Sequence, residues 1–227
     1  MYNDGMPADS HQIRVCNSCG LRYPLVDAKT FGMRCPVCLG ETRVTLRVSR
    51  KLVTEPRRDL PESLHREDTQ NAKNSNEERR ELAVLLDNIR SAWNVGSILR
   101  SAEGFGFSHV YLCGITPTPE NDTVQKTSLG AQDSVTWSYH KDALKLVSNL
   151  KKEGRRIVAL EEEDRAVEVS RIGLPTYQTV LIVGNEVTGV DPELLDLCDT
   201  TYYIPMHGQK SSFNVAIAFG IAAYALR

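Results

Sequence analysis

Four of the six cysteines fall as Cys16-Asn-Ser-Cys19, then 15 residues, then Cys35-Pro-Val-Cys38. This spacing constrains the fold more than any other feature of the chain. Each C-x-x-C pair makes a tight knuckle whose sulfurs converge, and two knuckles close a tetrahedral tetrathiolate shell with no position left open for chemistry. The reading is a zinc ribbon in which Cys16, Cys19, Cys35 and Cys38 hold a structural Zn2+. Gly20 and Gly40 follow the knuckles, where chain reversal and N–H to sulfur contacts favour glycine. A pair of disulfides is disfavoured by a reducing compartment, and a redox C-x-x-C does not normally recur within about forty residues. Tyr23, Leu25, Val26 and Phe31 between the knuckles, and Val44, Leu46 and Val48 after them, can form short strands but little core. Metal must therefore supply most of the module's folding energy. Cys113 and Cys198 stand outside the pattern and read as small buried or half-buried fillers.

The ribbon takes up residues 11–48 of a 227-residue chain, which leaves enough sequence to bury a substantial core. The net charge of -2 divides along the chain as -2 over residues 1–10, +4 over 11–48, +1 over 49–80 and -5 over 81–227. A basic N-terminal piece on an acidic body hints at a polyanion partner for that piece, although a tetrathiolate site would take about two units off its charge. A hydrophobic content of 41% with 25% charged residues is ordinary for a soluble protein, and the longest apolar run, Val215 to Leu226, has 12 residues and cannot span a bilayer. The acidic N-terminus, with no apolar run after it, does not resemble a signal peptide. A cytoplasmic protein with no membrane partner is the expectation.

Residues 49–80 mix eight basic and seven acidic side chains with almost no apolar periodicity after Val53, and read as a polar linker in which His65 is solvated rather than a ligand. From residue 81 short apolar runs alternate with helical patterns. Leu82–Leu86, Val110–Cys113, Ile157–Leu160, Val180–Val183 and Thr201–Ile204 read as buried strands. Val95–Phe105, Asp142–Lys152, Pro192–Cys198 and Asn214–Leu226 read as helices. The implied α/β fold is a parallel sheet with helices on both faces, preceded by the small zinc-ribbon domain. Such a sheet often binds a nucleotide, yet no G-x-G-x-x-G follows a strand, and Gly208, Lys210 and Ser211 lack the pattern of a P-loop.

Three polar segments lie where apolar elements meet loops. In the first, Asn94 can cap a helix beginning near Val95, with Arg100 nearly two turns in; the plain alternative is a capped helix with an exposed arginine. The second, Gly184 to Gly189, puts Glu186 between two glycines directly after a strand, where ligands of open sheets sit; alternatively it is a simple turn with a solvated carboxylate. The third, Ile204 to Val215, is a strand end, a polar loop and a donor-rich helix opening at Asn214; alternatively it is only a capped buried helix.

Together the three segments resemble the motifs of the SpoU/TrmH branch of the SPOUT RNA methyltransferases, over roughly Leu82 to Leu226. The resemblance rests on N-x-G-x-x-x-R as Asn94, Gly96 and Arg100, on G-x-E-x-x-G as Gly184, Glu186 and Gly189, and on the I-P-M-x-G-x-x-x-S-x-N-V run from Ile204 to Val215. Lys126 to Ala131 looks like the family's substrate-side segment. Phe213 replaces the usual leucine and Asn185 stands where a serine is common. The resemblance implies a C-terminal trefoil knot, a homodimer, S-adenosyl-L-methionine (SAM) as methyl donor, and transfer to a ribose 2′-hydroxyl of tRNA or rRNA. It also implies catalytic roles for Arg100, Asn94, Glu186 and Asn214, and cofactor contacts from Gly184, Ile204, Phe213, Ser212, Met206, Gly208 and Gly189. RNA contacts are expected from Arg100, Lys126, Ser128, Lys210, Arg22 and Arg34. In the resembling family the Asn214–Leu226 helix helps form the dimer interface, and its composition requires burial on nearly all sides.

In such a transfer the main tasks are alignment and removal of the hydroxyl proton. Arginine is a poor base, so Arg100 either needs unusual deprotonation or stabilises the forming alkoxide while a substrate phosphate takes the proton. His207 is a second candidate base, although a loop histidine is more often solvated. The ribbon, with Arg14, Arg22, Lys29, Arg34, Arg43 and Arg47, reads as an RNA-recognition appendage, with a protein-docking module as the rival. A non-catalytic SAM- or RNA-binding factor of the ribosome or tRNA is the alternative function. A nucleotide-binding metabolic enzyme is disfavoured by the missing phosphate fingerprints.

Overall fold

A strand buried on both faces must be apolar at every position, because successive side chains point to opposite sides of the sheet. β4 (Leu82–Asp87) and β9 (Thr179–Val183) are buried throughout and meet that condition at all but one end position each, Asp87 and Thr179, in the computed structural model, which describes residues 10–26, 33–49, 81–173 and 178–227. With β5 (His109–Cys113), β6 (Thr136–His140), β7 (Arg156–Leu160), β8 (Val167–Glu168) and β10 (Thr200–Tyr203) they form a seven-stranded, all-parallel sheet in the order β6-β5-β4-β9-β7-β10-β8. β9 lies between β4 and β7, so the chain returns to the middle of the sheet late.

The two sheet faces build two cores. Leu82, Val84 and Leu86 pack with α1 (Ala92–Gly104) and α6 (Val215–Ala225), whereas Ala83 and Leu85 pack with α4 (Ala143–Lys152) and α5 (Pro192–Leu195). Helices thus cover both faces, as the sequence pattern requires. Cys113 is buried and Cys198 half-buried; burial raises both thiols, Cys198 to about 12.

Several expected boundaries move. Ser91, not Asn94, caps α1, its hydroxyl accepting from the Asn94 N–H, so Asn94 lies inside the first turn with its side-chain amide free for other work. The Pro192 helix closes at Leu195 rather than Cys198. The Lys126 segment forms α2 (Asp122–Ser128) and α3 (Ala131–Ser134). β6 and the two-residue β8 escape detection because their positions are only half-buried or exposed. α6 is not buried all round: Ile217 and Tyr224, 56% and 76% exposed, lie two turns apart on one open stripe.

The ribbon is an antiparallel sheet of β1 (Ser10–Cys16), β2 (Arg22–Leu25) and β3 (Thr42–Ser49), ordered β2-β1-β3, whose small core is Leu21, Tyr23, Leu25, Cys16 and Cys35. Lys29, Phe31 and all but the first residue of the 49–80 linker, including His65, lie outside the described residues. The ribbon docks on the body. Ile115 packs against its core, the Arg22 N–H donates to the Lys141 carbonyl at 2.9 Å, and the Arg22 Nε donates to Asp191 Oδ2 at 2.7 Å.

Beneath that contact, Asp87 is buried, accepting from the Asp191 N–H at 3.0 Å and the Asn88 amide at 2.8 Å. Burial, and then the Asp191 charge, push its carboxyl from 3.8 to about 7. A carboxyl raised on folding binds more protons in the native than in the unfolded state between those values, so stability falls as pH rises from about 4 to 7. Urea midpoints at pH 5 and pH 7 should show that loss in the wild type and a smaller one in Asp87→Asn; an identical loss in both would refute the assignment.

Candidate active site and metal centre

In open α/β sheets ligands bind beyond the carboxyl ends of the strands. Here the segments after β7, β9 and β10 enclose one cavity of about 840 Å3. All seven residues expected at the cofactor, Gly184, Gly189, Ile204, Met206, Gly208, Ser212 and Phe213, line it. The Asn185–Gly189 turn is closed by reciprocal backbone bonds of 3.1 and 2.9 Å. A Cβ on Gly184 would lie 2.2 Å from the Val190 nitrogen, so only glycine lets this turn fold back so tightly. Asn185 organises the turn: Oδ1 accepts from the N–H groups of Val187 and Thr188 at 2.9 and 3.1 Å, while Nδ2 donates to the Asn88 carbonyl beyond β4 at 2.6 Å. Asparagine in place of serine therefore ties the loop to the next strand end.

The motif residues Asn94, Glu186 and Asn214 meet, although up to 120 positions separate them. Glu186 Oε2 accepts from the Arg90 N–H at 2.8 Å. Its Oε1 accepts from the Ser91 N–H at 3.0 Å and the Asn94 amide at 2.9 Å. Asn214 Nδ2 donates to Asn94 Oδ1 at 3.0 Å, while Asn214 Oδ1 caps α6 through the Ala216 N–H at 2.9 Å. Burial would raise the Glu186 carboxyl, but the N–H groups of Arg90, Glu186 and Ser91 and the Asn94 amide together hold it below its ordinary value. It is an exposed carboxylate, but one fixed by hydrogen bonds at a helix N-terminus rather than free in a simple turn. Gly96 has a packing reason, since a Cβ there would meet Thr127 Oγ1 at 1.8 Å and the Val124 carbonyl at 2.7 Å. α1 and α2 thereby sit in close contact.

Arg100 is exposed, and among the described residues it has no hydrogen-bond or ion-pair partner. Trp93, which the sequence reading missed, is 66% exposed and lies seven residues earlier on the same face of α1. An exposed tryptophan beside a polar motif was the available signal. Glu161, Glu162 and Glu163, also unanticipated, line the cavity, and Glu161 Oε2 accepts from the Val190 N–H at 2.8 Å. His207 is exposed and outside the lining residues.

The expected RNA contacts divide. Lys126, Lys210 and Arg34 are exposed, as are Arg43 and Arg47 of the ribbon. Ser128 is buried, its hydroxyl bonded to the Gln125 carbonyl and to Gln132 Oε1, and so cannot reach a ligand. Arg22 is buried too, its guanidinium spent on Asp191 and Glu193. Arg14 is likewise buried against Gln12 and Thr42. These corrections share one cause: a polar side chain that finds an internal partner is no longer available at the surface.

The four ribbon sulfurs lie within 4.8 Å of one another, with Cys16 to Cys38 at 3.4 Å and Cys19 to Cys35 at 3.7 Å. A zinc ion at about 2.3 Å from each sulfur requires edges of about 3.8 Å. The quartet fits that ion with little movement, and no position remains for substrate.

Residues 81–224 match the SpoU rRNA Methylase family, over more than half of the chain. The chain belongs to the SpoU family. The tRNA (guanosine(18)-2′-O)-methyltransferase of Escherichia coli (strain K12) is 30% identical over 144 residues, 63% of this chain and 62% of that protein. The 23S rRNA (guanosine(2553)-2′-O)-methyltransferase RlmP of Bacillus subtilis (strain 168) is 31% identical over 146 residues, 63% of this chain and 57% of that protein. The chain thus spans less than two thirds of either relative's length. Among solved structures, the AdoMet-bound rRNA methyltransferase from Sinorhizobium meliloti superposes with a TM-score of 0.62 at 28% identity, covering 65% of this chain and 56% of that one. The SpoU match accounts for the sheet, its helices and the cavity; the ribbon lies outside it.

Proposed function

We propose that this protein transfers a methyl group from SAM to a ribose 2′-hydroxyl of tRNA or rRNA. The observation that carries the reading is the meeting of Glu186, Asn94 and Asn214 beside the cavity lined by all seven expected cofactor residues. The cavity's volume is in the range of small-molecule sites, and its glycines bring backbone within reach of a ligand. SAM supplies an electrophilic methyl. The chain supplies the alignment: Glu186 holds the entry of α1, and Asn94 and Asn214 lock the two ligand-side helices together. Arg100, a cation on an exposed helix face with no ion-pair partner among the described residues, steadies charge on the attacking hydroxyl or grips an adjacent phosphate. Trp93 offers a face on which a neighbouring base stacks. The exposed stripe of α6 at Ile217 and Tyr224 is the contact for a second copy of the chain, and the segment after β9 forms the trefoil knot. Among the described residues no helix is long and apolar enough to cross a membrane.

Nucleoside mass spectrometry of tRNA and rRNA incubated with protein and SAM tests the activity. A 2′-O-methylated nucleoside is the expected product. A base-methylated nucleoside would overturn the ribose assignment. SAM binding without product would favour the non-catalytic binder.

A further inference from the structure

We infer that Arg22 of the zinc ribbon is a positioning residue for the cofactor loop, acting through Asp191 to hold the Gly184–Val190 turn in its binding shape. The inference rests on the reading of the cavity as a SAM site.

Only 7% of the Arg22 side chain is exposed. Its guanidinium donates from Nε to Asp191 Oδ2 at 2.7 Å, from Nη2 to Glu193 Oε2, and from Nη1 to Thr45 Oγ1 of the ribbon at 3.5 Å. Asp191 is the residue after Val190, and it is fixed at every polar atom that faces the protein. Its N–H donates to buried Asp87, its Oδ1 accepts from the Glu193 N–H at 3.0 Å and caps α5, and its Oδ2 holds Arg22. Val190 is in turn pinned to Glu161 and packed onto Gly184. Gly189, Val190, Pro192 and Leu195 are all walls of the cavity. A shift of Asp191 therefore moves the cavity wall directly.

Charge makes the contact more than a spacer. Asp87 and Asp191 are buried side by side, and Arg22 is the cation facing them. Without it, two carboxyl groups would share a site from which water is excluded, and the cheapest relief is for the Asp191 segment to swing outward. The ribbon is thus part of the methyltransferase body's binding apparatus. Coupling of this kind is reciprocal, so a ligand that fixes the turn must also tighten the ribbon.

The test uses the full zinc-loaded chain and SAM itself, by calorimetry. Arg22→Met is expected to weaken SAM binding tenfold or more, Arg22→Lys to restore much of it, and Glu41→Gln, an exposed ribbon site, to change nothing. Because Arg22→Met can also fail to fold, a second measurement uses the wild type alone. SAM should slow both amide exchange over residues 10–26 and zinc release to a chelator. Arg22→Met that stays folded, keeps its zinc and binds SAM like the wild type would overturn the proposal. So would a SAM complex whose ribbon exchange and zinc release are unchanged. A wild type that binds no SAM at all would instead overturn the functional reading on which the proposal rests.

Discussion

Arg100→Ala is expected to lower the rate of methyl transfer about 10²- to 10³-fold, the usual cost of removing one group that stabilises charge in a transition state, with SAM affinity and the unfolding midpoint unchanged. The separation follows from where the side chain sits. Arg100 is exposed on α1 and has no partner among the described residues, so its loss leaves no buried group unsatisfied and costs the fold little. Nor does it line the cavity, so SAM should bind as before. Arg100→Lys keeps the charge but loses the planar fork that grips an oxyanion or phosphate with two bonds, and should recover only part of the rate. Trp93→Ala, on the same helix face, provides the contrast: a stacking residue should raise KM for RNA several-fold and leave kcat nearly intact. Single-turnover rates with saturating RNA distinguish the two. An Arg100→Ala protein with a wild-type single-turnover rate would remove Arg100 from the chemistry.

How far these roles are legible in the sequence depends on whether a residue's environment is local. β4 and β9 can be read directly because burial on both faces demands unbroken apolar runs. β6, Thr136–His140, cannot, because an edge strand needs no such run. The sequence pattern places the cap of α1 at Asn94, whereas Ser91, three residues earlier, takes that role. What separates them is Glu186, 92 positions further on, which takes the Asn94 amide as a partner and leaves the cap to Ser91. The three polar motifs suggest a site, but only the sheet order, with β9 inserted between β4 and β7, brings their loops to one edge. Arg22 is the harder case. In a +4 ribbon it resembles every other surface cation, and its partner Asp191 is 169 positions away, so composition assigns it to RNA and packing reassigns it to the body.

Removing zinc should unfold β1, β2 and β3 while the seven-stranded sheet of the body stays formed. Among the described residues the ribbon's apolar cluster is Leu21, Tyr23 and Leu25 with two of the cysteines, far too little to offset the entropy of ordering its three strands. Zinc binding to such quartets is worth on the order of 10 kcal/mol, so the metal decides whether this module is folded. The body keeps two larger cores that share no residue with it. The body is nonetheless not indifferent. Unfolding the ribbon withdraws Arg22 from Asp191, and stranding one partner of a buried ion pair costs about 3–5 kcal/mol. Chelation should therefore lower the body's own melting temperature as well as abolish amide protection in β1, β2 and β3. Cys35→Ser should reproduce both effects without chelator. Hydrogen exchange read segment by segment separates the outcomes: protection lost in the ribbon with the body's melting temperature lowered is the expected result. Retained protection in β1 to β3 after complete zinc loss would mean that docking on the body, rather than the metal, holds the ribbon together.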